Sequence, residues 1–517
     1  MLTPFRNEPY TDFTIEANAR AYRAALEQVG RQLGQSYPLI IGGEAIMTEE
    51  TSTSINPARP DQVVGRFAKA TVEHADQAIR AAAQAFERWR FVPPAERAGY
   101  LLKAAAIMRR RKHELAAWMT YEVSKSWAEA DADVAEAIDF CEYYARQMLR
   151  LAGAQEVVPY PGESNELHYI PLGVGVVIPP WNFPLAILVG MTTAALVAGN
   201  TVVLKPASAS PTIAAQFVAI MNEECQLPPG VLNFVPGPGG AMGDALVDHP
   251  LTRFIAFTGS KEVGLRIFER AAKRQPGQNW LKRTILEMGG KDAIVVDESA
   301  DLDLAAEAIT LSAFGFQGQK CSACSRAIVV DAVYDQVLER VIERARALTV
   351  GDPAQQGVFM GAVIDRNAFA KIKDYIAIGK GDGRLVLGGE AGDGAEGFFI
   401  PPTIIADVPE TSRVACEEIF GPVLAFLRAR DFDDAERLFN ASEYGLTGGL
   451  ISRNRERIER AKRTFHVGNL YINRKITGAL VGVQPFGGFN MSGTDSKAGG
   501  PDYLLLFTQA KSITERF

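Results

Sequence analysis

The 517-residue sequence predicts an α/β fold built on a parallel sheet covered by helices, and three observations carry that reading. Short β-branched runs alternate with helix-length segments between Gly173 and Lys273, the spacing of βαβ units. One intervening segment, Leu185–Ala198, carries no charge on any face, as a helix buried against a sheet does. The most distinctive residues follow the runs directly, at Pro180-Trp-Asn-Phe-Pro184, Lys205-Pro-Ala-Ser208 and Thr258-Gly-Ser260. Open α/β sheets bind their ligands there, at the carboxyl ends of the strands.

Taken in order, the first third reads as mostly helical. In His74–Arg90 the apolar Ala75, Ile79, Ala83 and Phe86 recur at three- and four-residue spacing, giving one buried stripe. Arg97–Trp118 and Ala128–Leu149 behave similarly, and the run Arg109-Arg110-Arg111-Lys112 reads as a solvated face of the former. Leu151–Tyr169 is loose and is a candidate to pair with the C-terminal tail. Strands are expected at Gly173–Ile178, Thr201–Leu204, Val231–Val235 and Arg253–Phe257, separated by helices at Pro211–Glu224, Ala241–Asp248 and Lys261–Lys273. A second block has strands at Ala293–Val296 and Ala327–Val330, a helix at Tyr334–Leu348, and glycine turns at Gly379–Gly383 and Gly388–Gly397. Tyr503–Phe507 and Ser512–Phe517 read as closing strands.

Composition excludes several classes. The length suits about three domains. Lys and Arg number 54 against 61 Asp and Glu, a net charge of −7, which argues against a nucleic-acid binder. The five cysteines are too few for a disulfide framework and suit a reducing compartment. Met1–Tyr10 fits neither a secretory signal nor a transit peptide. Pro179, Pro180 and Pro184 break the uncharged span after His168. The remaining helix rises about 21 Å, short of a ~30 Å hydrocarbon core. The expectation is a soluble, cytoplasmic, multidomain protein with no membrane or nucleic-acid partner. No P-loop, G-x-S-x-G elbow, H-E-x-x-H or G-x-G-x-x-G motif occurs, and the five histidines lie far apart, so no metal site is expected.

Three positions can carry chemistry. Ser260 is a good N-cap where a helix start offers free N–H groups to a phosphate, although an ordinary capped turn looks the same. Cys321, in Gly318-Gln-Lys-Cys-Ser-Ala-Cys324, has Lys320 beside it to favour the thiolate. Its C-x-x-C also reads as a redox dithiol, half a zinc site or a pair of inert buried thiols. Glu287, in Glu287-Met-Gly-Gly290 at the end of a β-branched run, is a candidate base or an exposed turn acid.

Read together with Glu417-Glu-Ile-Phe-Gly-Pro422 and Pro485-Phe-Gly-Gly488, these motifs occur in an order and spacing that resembles the NAD(P)+-dependent aldehyde dehydrogenase superfamily, over about residues 38 to 517. Gly318–Arg326 and Asn473–Ala479 with Gly482–Gly488 are most similar to the branch that oxidises L-glutamate γ-semialdehyde to L-glutamate in proline catabolism. The resemblance implies a Rossmann-like NAD(P)-binding domain (1–150 and 171–286), an α/β catalytic domain (287–496) and a small β oligomerisation flap (151–170 and 497–517). It implies Cys321 as nucleophile, Glu287 as the base for thioester hydrolysis, and Asn182 with the Cys321 N–H as oxyanion hole. Lys205, Gly259, Ser260, Glu418, Phe420, Pro180 and Trp181 become cofactor contacts. Ser208 stands where the family often has a carboxylate, which leaves NAD as the expected cofactor with NADP tolerated. Ser322, Gly478 and Ala479 are implied to hold the substrate carboxylate and Phe183 and Phe486 its stem, with Glu136 supporting the pocket. A homo-oligomer is implied, at least a dimer and up to a hexamer of dimers. Another semialdehyde or betaine-type aldehyde, an acylating enzyme, and a silent protein on the same scaffold stay open as alternatives.

Overall fold

The computed structural model describes residues 2–517. Two seven-stranded sheets organise the chain. The first has the order Arg283–Glu287, Thr252–Thr258, Val174–Ile178, Thr201–Leu204, Leu232–Phe234, Leu39–Ile41, Glu44–Ile46; its first five strands are parallel and the last two antiparallel. The second runs Arg384–Leu387, Thr403–Ala406, Val423–Ala429, Arg326–Val330, Ala293–Val296, Thr447–Ile451, Asn469–Ile472, parallel except for its first strand.

Alternate residues of the first sheet divide between two cores, because side chains in a strand point to opposite faces. Val177, Leu204, Phe254 and Ile285 pack in one core with helices Pro94–Arg110, Trp127–Leu151 and Ala186–Val197. Val176, Val203, Ile255 and Leu286 pack in the other with helices Val72–Trp89, Ala241–Asp248 and Lys261–Ala272. With both faces covered, the strands read as continuous apolar runs, which is why they stand out in the sequence. Gly175 is required where two strands meet, since a Cβ there would overlap the Phe254 ring.

Six expectations need correction. Residues 35–68 are not helical: they form strands Gln35–Tyr37, Leu39–Ile41, Glu44–Ile46, Thr51–Asn56 and Arg59–Ala68, several too short to show a period. Arg97–Trp118 is two helices, Pro94–Arg110 and Lys112–Val123, meeting at Arg111. The basic run at that junction is largely paired rather than solvated: Arg109 with Glu8 (2.8 Å), Arg111 with Glu224 (2.6 Å), and buried Lys112 with Asp131 (2.9 Å). Pro211–Glu224 ends as α-helix at Ala219 and continues as a π-turn. Gly379–Gly383 is the last turn of helix Arg366–Asp382 rather than a loop. Finally, Tyr503–Phe507 is a buried 3-10 turn, and Leu504 and Phe507 sit in the chain's own core instead of forming an apolar edge. The tail does pair: Thr508–Arg516 runs antiparallel to Glu163–Pro171, from Thr508 opposite Pro171 to Arg516 opposite Glu163. Among the described residues no helix is long and apolar enough to cross a membrane.

Candidate active site

Cys321 follows a turn in which three successive residues take positive φ. Phe316, Gln317 and Gly318 hold φ of 48°, 56° and 67° in succession. Non-glycine residues there cost roughly 1–3 kcal/mol each, so surrounding contacts must enforce the shape. Two buried glutamines do so. Gln317 Nε2 donates to the carbonyls of Ser124 (3.1 Å) and Ala362 (2.9 Å), and Gln319 Oε1 accepts from the Ile364 N–H (2.9 Å).

Lys320 does not serve the thiol as expected. Its ammonium pairs with Glu129 at 2.7 Å. Burial, then the carboxylates of Asp292, Glu287 and Glu418, push the Cys321 thiol well above its ordinary range. Each of these influences favours the protonated sulfur over the thiolate. Cys324 is buried, its sulfur donating to the Arg326 carbonyl at 3.4 Å, and burial pushes it up to about 12. Both cysteines are free, and among the described residues no group of His, Cys, Asp or Glu could hold a metal ion.

Glu287 ends strand Arg283–Glu287 and is buried, not an exposed turn acid. Its Oε1 accepts from the Ser496 hydroxyl at 2.6 Å, while Oε2 is buried without a partner. Burial pushes it up to about 8, against the pull of Ser496 and Lys497. Ser496 reaches it because two backbones touch: a Cβ on Gly487 would overlap the Ser496 carbonyl, and Phe486 and Ala498 exchange hydrogen bonds of 2.9 and 2.8 Å.

Cys321, Glu287, Ser322, Gly478, Ala479, Phe183, Phe486 and Glu136 all line one cavity, although they are scattered over some 350 residues of chain. Glu136 is half-buried there with no hydrogen-bond partner among the described residues, and burial with Asp133 pushes it up to about 8. Asn182 is buried beside the nucleophile turn, its Nδ2 donating to the Gln319 carbonyl at 3.1 Å. One amide hydrogen is left for a ligand. Sequence reasoning missed Ser496, which belongs to no motif, and Tyr503, Phe140 and Tyr144, which complete the wall. It also missed Lys125, buried in an ion pair with Asp133 (2.7 Å) and 4.1 Å from the Phe183 ring centre.

A second set of residues lies at the carboxyl ends of the first sheet. Lys205 directly follows strand Thr201–Leu204; it is buried, with one long hydrogen bond to the Pro206 carbonyl (3.3 Å), and burial lowers it to about 8. A buried ammonium with unused donors is built for acceptors not in the chain. Ser260 caps helix Lys261–Ala272, accepting from the Val263 N–H at 3.4 Å, and the Gly259 N–H donates to the Glu287 carbonyl at 3.0 Å. Glu418 accepts from the Gly290 N–H at 2.9 Å; a Cβ on Gly289 would fill the space its carboxylate occupies. Phe420, at φ 60°, meets Trp181 edge-on at 5.5 Å, with Pro180 buried next to it. Ser208 is exposed, with no carboxylate in its place.

A family profile described as "Aldehyde dehydrogenase family" matches residues 46–513. The chain is 63% identical over 517 residues, all of both chains, to a 1-pyrroline-5-carboxylate dehydrogenase of Geobacillus kaustophilus. It superposes on the structure of a 1-pyrroline-5-carboxylate dehydrogenase from Thermus with bound NAD at a TM-score of 0.98 and 55% identity, covering 100% of each. A betaine aldehyde dehydrogenase from Staphylococcus aureus in complex with NAD+ is more distant, at 27% identity and a TM-score of 0.88 over 96% of this chain and 97% of that one.

Proposed function

The chain belongs to the aldehyde dehydrogenase family, and on that premise we propose that it oxidises L-glutamate γ-semialdehyde, the open form of 1-pyrroline-5-carboxylate, to L-glutamate with NAD. One observation carries the substrate. The cavity that holds Cys321 also presents a neutral donor group at Ser322, Gly478 and Ala479, an unpartnered acceptor at Glu136, and the rings of Phe183 and Phe486. That set complements a short aldehyde whose far end carries both a carboxylate and an ammonium.

In this reading Cys321 gives its proton to solvent water, Sγ bonds the aldehyde carbon, and the C=O π bond opens to leave the carbonyl oxygen as an alkoxide. The free Asn182 amide hydrogen and the Cys321 N–H stabilise that charge; losing one such donor typically costs ~10²–10³ in turnover. NAD, when bound, supplies the hydride acceptor. The residues present fit it: Lys205 and Glu418 for ribose hydroxyls, Gly259 and Ser260 for the pyrophosphate, and Phe420, Pro180 and Trp181 around the ring. The acyl group stays on sulfur as a thioester. Glu287, as carboxylate, takes a proton from water while the water oxygen bonds the acyl carbon. The C–S bond then breaks and the carboxylic acid leaves. With a hydroxyl at Ser208, nothing there repels a 2′-phosphate, so NADP is tolerated.

Residues 1–150 with 171–286 form the cofactor domain in this reading and 287–496 the catalytic domain. The paired strands, reaching from 151–170 to the end of the 497–517 segment, form the flap. Val158, Tyr160 and Phe517 on or near that ribbon are 89%, 66% and 85% exposed, and an isolated two-stranded ribbon is marginal in water. A second copy covering it, in at least a dimer, accounts for both facts. Five unpaired thiols suit the cytoplasm. The test is a panel of glutamate semialdehyde, betaine aldehyde and pentanal with NAD and with NADP. The highest kcat/KM is expected for the semialdehyde with NAD; a preference for betaine aldehyde would overturn the assignment.

A further inference from the structure

Residues 2–14 join neither sheet and lie outside the family-wide match at 46–513, yet they are fastened to helix Trp127–Leu151 and to the loop after Ala479, both of which carry cavity residues. The Thr3 carbonyl accepts from Arg146 Nε (3.0 Å), and the Phe5 ring meets Tyr143 edge-on at 5.1 Å. The Glu8 N–H donates to Asp139 Oδ1 (2.7 Å), and the Thr11 N–H to Asp131 Oδ2 (2.8 Å). Asp131, Asp139 and Tyr143 sit on helix Trp127–Leu151, which also carries Glu136.

Asn7 is the centre of this strap. Its Nδ2 donates one hydrogen to Asp139 Oδ2 (2.8 Å) and the other to the Val481 carbonyl (2.9 Å). Among the described residues this is the one side-chain hydrogen bond that reaches 479–483 from outside residues 474–484. That loop has no regular structure, and it carries Gly478 and Ala479 at its start. Gly482, at φ 76°, passes so near that a Cβ would stand 3.2 Å from Phe5 and 3.0 Å from Tyr143. Glu136 is also felt at the strap: after burial, it heads the carboxylates that push Tyr10 up to about 12.

We infer that the N-terminal strap is a specificity element of the aldehyde site, with Asn7 as a positioning residue that fixes the distance between the Gly478–Ala479 amides and Glu136. This rests on the proposed substrate, whose carboxylate and ammonium need those two groups at a set separation. An aldehyde without an amino-acid head does not use that separation and does not sense the strap.

The test compares Asn7→Ala with the full-length wild-type chain, using glutamate semialdehyde and pentanal, together with amide hydrogen exchange of the free protein. KM for the semialdehyde should rise about tenfold with kcat within about twofold, the signature of lost uniform binding. Pentanal kinetics should not change, and exchange at 480–483 should quicken. Equal losses on both substrates, or unchanged kinetics, overturn the inference. If the wild type itself ignores the semialdehyde, the functional reading fails instead, and unaltered exchange at 480–483 then overturns the strap independently. Should Asn7→Ala be insoluble, Asn7→Ser, which keeps a polar side chain but cannot span Asp139 and the Val481 carbonyl at once, carries the same comparison.

Discussion

Ser496→Ala removes the one hydrogen bond that the Glu287 carboxylate receives among the described residues, at 2.6 Å. Glu287 is already pushed up to about 8 by burial, and Ser496 is the first of the two influences that oppose the rise. A hydrogen bond to a charged group is worth about 1.5–3 kcal/mol, and one pKa unit is about 1.4 kcal/mol. Losing it should move Glu287 upward by about one to two units. A general base works deprotonated, so the hydrolytic rate climbs with pH through the Glu287 pKa and levels above it. In the variant the whole climb moves to more alkaline pH, and below it the steady rate falls about tenfold per unit. The assay is NADH formation from pH 6 to 10, with rapid mixing to separate the first turnover from the steady rate. The first-turnover burst should survive, because Cys321 and Asn182 are untouched. Glu287→Gln sets the limit, with a burst and almost no steady rate at any pH. A climb that stays in place or moves to lower pH in Ser496→Ala, or a burst lost in Glu287→Gln, would refute the role given to Glu287.

Three further outcomes follow. Cys321→Ala should abolish dehydrogenase activity while NAD binding, read by fluorescence, stays near normal; Cys324→Ala should be mild, and equal losses would revive the dithiol. Glu136→Gln keeps the shape but removes the carboxyl that a substrate ammonium would draw into its charged form, so KM for the semialdehyde should rise about tenfold or more with little change for pentanal; a parallel loss on pentanal would point to folding instead. Ending the chain after Ala510 removes most of the strand paired with Glu163–Pro171 but spares Tyr503 in the cavity wall, so light scattering should report a smaller assembly; a full-length chain that scatters as a 56 kDa monomer would sink the oligomer.

Much of the architecture was legible before any coordinates. Parallel strands covered on both faces must be apolar throughout, so Val174–Ile178, Thr201–Leu204 and Ala293–Val296 announce themselves, and the uncharged helix Ala186–Val197 packs where its composition requires. Short edge strands such as Glu44–Ile46 have one exposed side and too few residues for a period, and the reading missed them. The break at Arg111 was equally silent, and the ion pairs around it, to Glu8, Glu224 and Asp131, reach partners distant in sequence.

At the site, residue type alone left Cys321 and Glu287 as candidates beside blander readings, and it was the family resemblance that singled out these two and added Asn182 and Lys205. Their protonation states were not readable. Lys320 sits next to Cys321 in the chain but spends its charge on Glu129, and the thiol instead senses Asp292, Glu287 and Glu418. Ser496 against Glu287, Tyr503 in the cavity wall and Asn7 on the Val481 carbonyl likewise bear no local mark. A strand's apolar pattern and a residue's chemistry are properties of neighbours along the chain, so the sequence by itself marked the central strands and the candidate reacting groups. Electrostatics and hydrogen bonding depend on distance through space, and only the tertiary structure decided which distant groups share a cavity and what charge each one carries there.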